Sequence, residues 1–338
     1  MNIPPPQQSG AAVTPFHSLG PEVMLNLVEQ TLDTRLTNLC RPLASYINRV
    51  CELQCVDGRR LVVKFYRPGR WPRQALQDEH DFLLELAGEE IPVIAPLPLR
   101  AGGTLGDYEG IFFAVFPWCG GRNIDEYSEE QWLEIGRLLG RIHAVGAVRP
   151  APGRITMHPE TSTRQQADFL VRGGYIVEEL VPRFTGLIDT LIGEIAPLFQ
   201  TAALLRIHGD CHFANLIHRP GESLYLIDFD DMARGPAVQD FWMLLPGTPE
   251  ETALEIDLLL EGYETFRRFD RRELALIEPL RAMRFIHYMS WCAWQTTEEG
   301  LSRVAPDFGT PAYWQRELDD LADQLDRIRE GAGPRGNW

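Results

Sequence analysis

One short hairpin constrains the fold of this chain more than any other feature. Two apolar runs, 216–218 and 224–227, are separated by the turn sequence Arg-Pro-Gly-Glu, which predicts a pair of antiparallel strands. Asn215 immediately precedes the first run, and Asp228 immediately follows the second. Because a hairpin brings the start of its first strand beside the end of its second, we expect the two side chains to be neighbours.

The residues around this hairpin have the chemistry of a phosphoryl-transfer site. Asn215 and Asp228 offer amide and carboxylate oxygens, the ligands that Mg²⁺ prefers. Asp210 lies five residues before Asn215, on the loop that leads into the hairpin. A D-x-x-x-x-N spacing followed by an aspartate after a β-hairpin is typical of kinase catalytic loops. We therefore predict Asp210 as the catalytic base, Asn215 and Asp228 as magnesium ligands with Asp228 also catalytic, and ATP as the co-substrate.

Lys64 is the one lysine among 32 basic residues, and the pattern places it on a strand. The apolar-rich runs 46–56 and 60–66 flank Asp57-Gly58, a turn signal that predicts a hairpin with Lys64 on its second strand. A biased genome composition explains the excess of arginine but not this surviving lysine. An ammonium is a compact charge that a planar guanidinium does not replace. We predict that Lys64 binds the phosphates of ATP.

A carboxylate on the following helix is expected to orient Lys64. The spacing of apolar residues predicts a helix over 74–87. Glu79 on this helix is the favoured partner, and Asp78 and Glu85 are the alternatives. A solvent-facing position is the alternative reading for each of the three.

Further residues are assigned to the nucleotide site or to its support. Ser45 stands where a kinase has its glycine-rich loop, although no G-x-G-x-x-G is present; the alternative is an ordinary turn serine. Phe116 and Trp118 are predicted to contact adenine, with a buried strand end followed by a loop as the alternative. Asp240 is expected to hydrogen-bond the catalytic loop, and the histidines near Asp210 to brace it.

The order of the predicted elements indicates an α+β chain with a bilobal, protein-kinase-like fold. A small antiparallel-sheet N-lobe precedes a larger helical C-lobe that contains the catalytic hairpin. The predicted parts are a disordered N-terminal arm (1–17), an N-lobe that binds ATP (18–116), a hinge (117–121), a helical C-lobe (122–330) and a loose tail (331–338).

Composition and charge exclude several classes of protein. Formal net charge is −16, so a nucleic-acid partner is not expected. Six scattered cysteines form no C-x-x-C pair, which argues against a disulfide framework or a zinc site. The sequence has neither a signal peptide pattern nor an apolar run long enough to span a bilayer. We expect a cytoplasmic monomer without a membrane partner.

The catalytic segments resemble the aminoglycoside phosphotransferase and choline kinase superfamily. The similar residues are His208-Gly209-Asp210-x-His212-x-x-Asn215 and Ile227-Asp228-Phe229-Asp230. Ten residues run from Asp231 to Asp240, which leaves no room for a long activation segment. The resemblance implies a kinase fold with Asp210 as proton acceptor and Asn215 and Asp228 as magnesium ligands.

Within the superfamily, the sequence is most similar to bacterial stress-response kinases. The stretches that carry this similarity lie between about residues 43 and 290: SYINRV, VVKFYRPGRW, FAVFPWCGGR, HGDCHFANL, GPAVQDFWMLL and IEPLRAMR. The resemblance implies a serine/threonine protein kinase that phosphorylates hydroxyl groups of protein substrates, with Ser45 near ATP.

Two other functions compete with this interpretation. A small-molecule alcohol kinase, acting on an aminoglycoside, choline or another amino alcohol, fits the superfamily motifs equally well. A deep acidic pocket would favour such a small cation, whereas an open shelf would favour a protein. A catalytically dead binding module is the third possibility, but the complete set of Lys64, Asp210, Asn215 and Asp228 argues against it.

Overall fold

The computed structural model describes residues 16–331 except 125, 220, 222, 250, 300, 301 and 303. The predicted arm and tail fall almost wholly outside these residues. The helices are α1 (Pro21–Leu32), α2 (Arg73–Gly88), α3 (Glu129–Gly146), α4 (Arg164–Arg172), α5 (Val181–Ile195), α6 (Gln239–Trp242), α7 (Ala253–Glu264), α8 (Ile277–Glu299) and α9 (Pro311–Gly331). The strands are β1 (Leu36–Pro42), β2 (Arg49–Cys55), β3 (Arg60–Phe65), β4 (Gly106–Tyr108), β5 (Ile111–Pro117), β6 (Leu205–Ile207), β7 (Leu216–His218), β8 (Leu224–Leu226) and β9 (Ala233–Gly235).

In the described part of the chain, β1 to β5 form one antiparallel sheet in the order β1-β2-β3-β5-β4. The predicted hairpin is confirmed, with Val50 of β2 opposite Lys64 of β3. On its other side, β3 pairs with β5, where Ala114 is opposite Lys64. Lys64 therefore lies on the central strand of the sheet.

The alternation of side chains along β3 determines which way Lys64 faces. Leu61, Val63 and Phe65 are buried in a core that they share with α1. Because successive side chains of a strand point to opposite faces, Val62 and Lys64 face the other side of the sheet. That side is the wall of a cleft.

The rest of the described chain is mostly helical, which confirms the predicted α+β class. The β7–β8 hairpin is also confirmed, with Leu216 opposite Leu226. Helices α3 and α7 pack closely against each other, and a Cβ on Gly136 of α3 would lie 2.1 Å from the Leu259 carbonyl oxygen of α7. Glycine at this position therefore allows the two backbones to approach closely. The predicted division into lobes and the hinge at 117–121 stay predictions.

Several elements differ from the sequence prediction. The strands β1, β4, β6 and β9 were not predicted: β1 pairs irregularly and is largely exposed, and the other three are three residues long. Helix α5 begins at Val181, where Pro182 suits the first turn. No helix in the described ranges combines the length and the apolar character that crossing a bilayer requires.

Candidate active site

A cleft of about 280 Å³ lies between the sheet and the β7–β8 hairpin. It is lined by the apolar side chains of Val50, Val62, Phe116, Ile217 and Ile227 and by the charged side chains of Lys64, Glu79 and Asp228. A slot with both kinds of lining offers apolar surface to a flat heterocycle and charged groups to phosphates.

The β7–β8 hairpin makes Asn215 and Asp228 neighbours, as the sequence predicted. The backbone N–H of Ile227 donates to the carbonyl oxygen of Asn215 at 3.0 Å, so Asp228 follows immediately. The Asn215 side-chain amide donates to the carbonyl oxygen of Asp210 at 2.9 Å, which leaves its own oxygen to bind a cation. Asp228 adopts the left-handed conformation, with φ 61°, and its side chain is 56% exposed.

These donors fit a magnesium ion that arrives with a nucleotide. Among the described residues, no group of three or more histidine, cysteine or acidic side chains could hold a metal ion by itself. Mg²⁺ is usually bound by one or two carboxylates together with substrate phosphates, rather than by an all-protein cage. One carboxylate, that of Asp228, and one amide oxygen, that of the neighbouring Asn215, agree with that pattern.

Lys64 is held between two carboxylates, those of Asp228 and Asp230. Its Nζ lies 3.1 Å from Asp228 Oδ1 and 3.2 Å from Asp230 Oδ1, and its side chain is 11% exposed. Burial disfavours the charged form, but Asp228, Asp230 and Glu79 outweigh it and raise the pKa of Lys64 well above its ordinary value. The ammonium therefore stays charged at neutral pH.

The expected ion pair between Lys64 and Glu79 is not formed among the described residues. Glu79 Oε2 instead accepts a hydrogen bond from Arg154 Nη2 at 2.5 Å, and both side chains are buried. The two alternatives are also engaged elsewhere: Asp78 accepts from the backbone of Gly153, and Glu85 pairs with Arg206. Arg154 lies beyond α3 in the chain, and only the folded structure brings it to α2.

Asp230 is the carboxylate that takes the place expected for Glu79. It contacts Lys64, it accepts from Asn48 Nδ2 at 3.1 Å, and it forms a short ion pair with Arg70. Arg70 also donates to Asp231 Oδ1 at 2.6 Å. Asp230 and Arg70 both lie in stretches that carry the family resemblance, but neither was predicted to have a role at the site. The signal was present in R-P-G-R-W, directly after the lysine strand.

Asp240 anchors the backbone of the catalytic loop, the segment that carries Asp210. This fully buried carboxylate accepts from the backbone N–H groups of His208 at 2.7 Å and Gly209 at 2.8 Å. The expected support by Asp240 is confirmed. His208 braces the loop as predicted, because its Nε2 lies 2.8 Å from the carbonyl oxygen of Ile227.

Asp210 has two cationic or basic groups beside it. Arg284 Nη2 of α8 is 2.9 Å from Asp210 Oδ1, and His212 Nε2 is 3.5 Å from Asp210 Oδ2. The Arg284 side chain is 25% exposed and points at the predicted base.

The remaining predicted nucleotide residues line the same cleft. Ser45 lies in the loop between β1 and β2, where its Oγ accepts from the backbone N–H of Asn48 at 3.2 Å. Phe116 and Trp118 lie at the end of β5 and just after it. The Trp118 ring is covered by the guanidinium of Arg60 at 3.6 Å. The roles of Ser45, Phe116 and Trp118 stay predictions.

The sheet, the cleft and the loop that carries Asp210 define a protein of the kinase fold. A sequence model named "Phosphotransferase enzyme family" matches residues 39–277. Stress response kinase A of Salmonella choleraesuis strain SC-B67 is 37% identical over 324 residues, which cover 93% of this chain and 95% of the relative. Serine/threonine protein kinase RdoA of Salmonella typhimurium strain LT2 is 38% identical over 326 residues, with the same coverage of both chains.

Solved structures show the same fold at lower identity. Amicoumacin kinase hAmiN, in complex with AMP-PNP, Ca²⁺ and Ami, has a TM-score of 0.70 and 18% identity, over 92% of this chain and 93% of that one. The microcompartment-associated aminopropanol kinase has a TM-score of 0.65 and 16% identity, over 92% and 97%. The chain belongs to the phosphotransferase enzyme family and is an ATP-dependent kinase.

Proposed function

We propose that this chain is a magnesium-dependent serine/threonine protein kinase of the stress-response type. The observation that carries the proposal is the position of Lys64, whose Nζ lies 3.1 Å from Asp228 in the lining of the cleft. A phosphate chain that enters the cleft would meet an ammonium beside a carboxylate that can bind a metal ion, and phosphoryl transfer requires both.

Each residue of the set has a proposed task. Asn215 and Asp228 hold the magnesium ion, which when bound neutralises charge on the phosphate oxygens. Lys64 binds phosphate oxygens and so fixes the direction of the terminal phosphate. Asp210 accepts the proton of the attacking hydroxyl and holds its oxygen in line with that phosphate.

The apolar side chains of the cleft form the proposed adenine site. Val62 on β3 and Ile217 on β7 both line the cleft, and we assign them to the two faces of a planar base. Phe116 and Trp118 form the back edge, and Ser45 lies on the loop above the phosphates. The hydroxyl of Ser45 accepts from the backbone N–H of Asn48, as an ordinary turn serine would. A role for Ser45 close to ATP is supported by its place in the lining of the cleft.

A protein is the proposed acceptor, because the relative at 38% identity is named a serine/threonine protein kinase. The solved neighbours favour a second candidate, since their names describe kinases of small molecules, an amicoumacin and an aminopropanol. Their identity to this chain is 18% and 16%, so they support the fold and leave the acceptor open.

The test is transfer of labelled phosphate from ATP and Mg²⁺ to a cell lysate and, separately, to a panel of amino alcohols. We expect label in protein bands. The variant Asp210→Asn should bind ATP normally but lose about a hundredfold or more in transfer rate, the usual contribution of a general base. Label confined to the amino alcohols would favour the second candidate. Transfer at the unaltered rate by Asp210→Asn would show that Asp210 is not the base.

A further inference from the structure

Arg284 has hydrogen-bonding capacity that the described residues do not use. A guanidinium carries five N–H donors. Among the described residues, the polar contact of Arg284 is the ion pair with Asp210, and that pair lacks the alignment of a hydrogen bond. The neighbouring Arg281, one turn earlier on α8, is instead bound: its Nη2 donates to the Gly247 carbonyl oxygen at 2.6 Å. Arg284 is thus a partly buried cation that is ready to bind an anion.

His287, one turn after Arg284, offers a second donor on the same face of α8. It is 4% exposed, and burial, reinforced by the Arg284 charge, holds its pKa well below the ordinary value, so the ring is neutral. Gln166 Nε2 lies 2.7 Å from His287 Nδ1 and donates to it, which places the ring proton on Nε2. Within the described residues, His287 Nε2 has no hydrogen-bond partner.

Arg284 and His287 line one small recess next to the catalytic loop. The recess has a volume of about 20 Å³, and Gly209, the residue before Asp210, forms part of its wall. This is room for one water molecule or for one oxygen of a larger group. A site whose charged and unpartnered groups are both donors selects an acceptor of hydrogen bonds, and the guanidinium selects one with negative charge.

The place of this recess relates it to the phosphoacceptor. A hydroxyl that donates its proton to Asp210 lies within hydrogen-bonding distance of that carboxylate, and Arg284 is 2.9 Å from the same carboxylate. If Arg284 stayed on Asp210, it would compete with the hydroxyl for Oδ1. A second anion on the acceptor would draw the guanidinium away and free the base.

We propose that Arg284, backed by His287, is an anion subsite of the acceptor site, and that this kinase selects hydroxyl acceptors that carry a carboxylate or a phosphate close to the hydroxyl. The inference rests on the proposed function and names its substrate class: serine or threonine beside an acidic or phosphorylated residue. A cationic amino alcohol is expected to be a poor acceptor, because the cation would meet Arg284.

The test compares serine peptides that differ in one residue near the serine: glutamate, phosphoserine, glutamine or lysine. A parallel panel contains small alcohols that are anionic (glycerate), neutral (glycerol) or cationic (choline). We expect the unaltered full-length chain to favour the glutamate or phosphoserine peptide over the glutamine peptide by about tenfold in kcat/KM, the effect of one charge-assisted hydrogen bond. The two anionic peptides show whether a carboxylate or a phosphate is preferred.

Charge variants assign the preference to Arg284. Arg284→Gln should remove the preference, Arg284→Glu should reverse it toward the lysine peptide, and Arg284→Lys should keep part of it. Arg281→Gln is the matched control on the same helix and should leave the preference unchanged. Binding of ATP by each variant verifies that the cleft is intact.

The outcomes separate this inference from the proposed function. Labelling of glycerate but of no peptide would support the anion subsite and contradict a protein substrate. Preference for the lysine peptide or for choline, or an anionic preference that survives in Arg284→Gln, would overturn the subsite. No labelling in either panel would contradict both.

Discussion

Lys64 shows most clearly why one residue type at one position matters for this site. Its Nζ lies between Asp228 and Asp230, and the guanidinium of Arg70 already occupies the other side of Asp230. The side chain is almost completely buried on the central strand of the sheet. A compact ammonium fits between the two carboxylates, whereas a planar guanidinium has a different size and shape.

We expect Lys64→Arg to impair turnover although it conserves charge. The larger head group would lose at least one of the two charged contacts, each worth about 1.5–3 kcal/mol, so kcat/KM for ATP should fall by about 10- to 100-fold. Steady-state kinetics with ATP varied measure this effect. The matched control is Arg59→Lys in the exposed turn of the same hairpin, whose kinetics should be normal. Normal kinetics for Lys64→Arg would contradict the proposed role of the lysine.

The catalytic loop and the loop after β8 are held together at a backbone contact. Gly209 has φ +84°, and a Cβ there would lie 2.3 Å from the Asp231 carbonyl oxygen. Glycine is therefore required twice, for the left-handed conformation and for the close approach. This contact sets the distance between the element that carries Asp210 and the element that carries Asp228.

We expect Gly209→Ala to reduce both stability and phosphate transfer. The left-handed conformation costs an alanine about 1–2 kcal/mol, and the contact with Asp231 forces the two loops apart. Gly58→Ala is the matched control, because Gly58 has φ +92° but no atom within 4 Å of the added Cβ. The control should lose stability without losing activity. Thermal unfolding and transfer assays on both variants compare the two effects; equal activity losses would contradict the role given to the Gly209 contact.

The sequence predicted elements whose pattern is local and missed those that depend on distant contacts. The hairpins around Asp57-Gly58 and between 216 and 226 were predicted because turn residues and apolar runs are adjacent in the chain. The strands β6 and β9 pair across about 25 residues of other structure and have three residues each, too few for a pattern.

The same distinction applies to the site. Asn215 and Asp228 were predicted as neighbours because one hairpin separates them. The partner of Glu79 was predicted wrongly, because Arg154 reaches α2 from the far end of α3 and no local pattern reports that contact. Arg284 belongs to the same class, since a helix that begins nearly 70 residues after Asp210 places it at the base.

At the scale of the whole molecule, the loop 228–231 is a junction between the sheet and the helical region. Asn48, Lys64 and Arg70, which all come from the N-terminal part, converge on the Asp230 carboxylate. Arg154 binds the backbone carbonyl oxygen of the same Asp230 at 2.6 Å and Glu79 of α2 at 2.5 Å. Two buried cations of the N-terminal part, Lys64 and Arg70, thus depend on the Asp230 side chain.

We expect Asp230→Asn to destabilise the protein by about 3 kcal/mol, because removal of one partner leaves buried cations without full compensation. Urea unfolding at neutral pH measures this change. The variant should also bind ATP more weakly, since Lys64 loses one of the two carboxylates that position it. Asp33→Asn is the matched control, because its ion pair with Arg100 is exposed on both sides; it should leave the free energy of unfolding unchanged.

The pH dependence of stability separates the charge of Asp230 from its shape. Burial alone would raise the pKa of this carboxyl, but Arg70, Lys64 and Arg154 outweigh burial and hold the pKa well below its ordinary value. A depressed pKa means that the folded state binds fewer protons than the unfolded state, so the contribution is complete above about pH 4 and is lost as pH falls below it. The difference in unfolding free energy between the unaltered chain and Asp230→Asn should therefore be constant from pH 5 to 8, on the order of the neutral-pH value, and shrink in acid. A difference that stays constant below pH 4 would mean that the asparagine acts through packing, and that the carboxylate charge does not join the two parts of the fold.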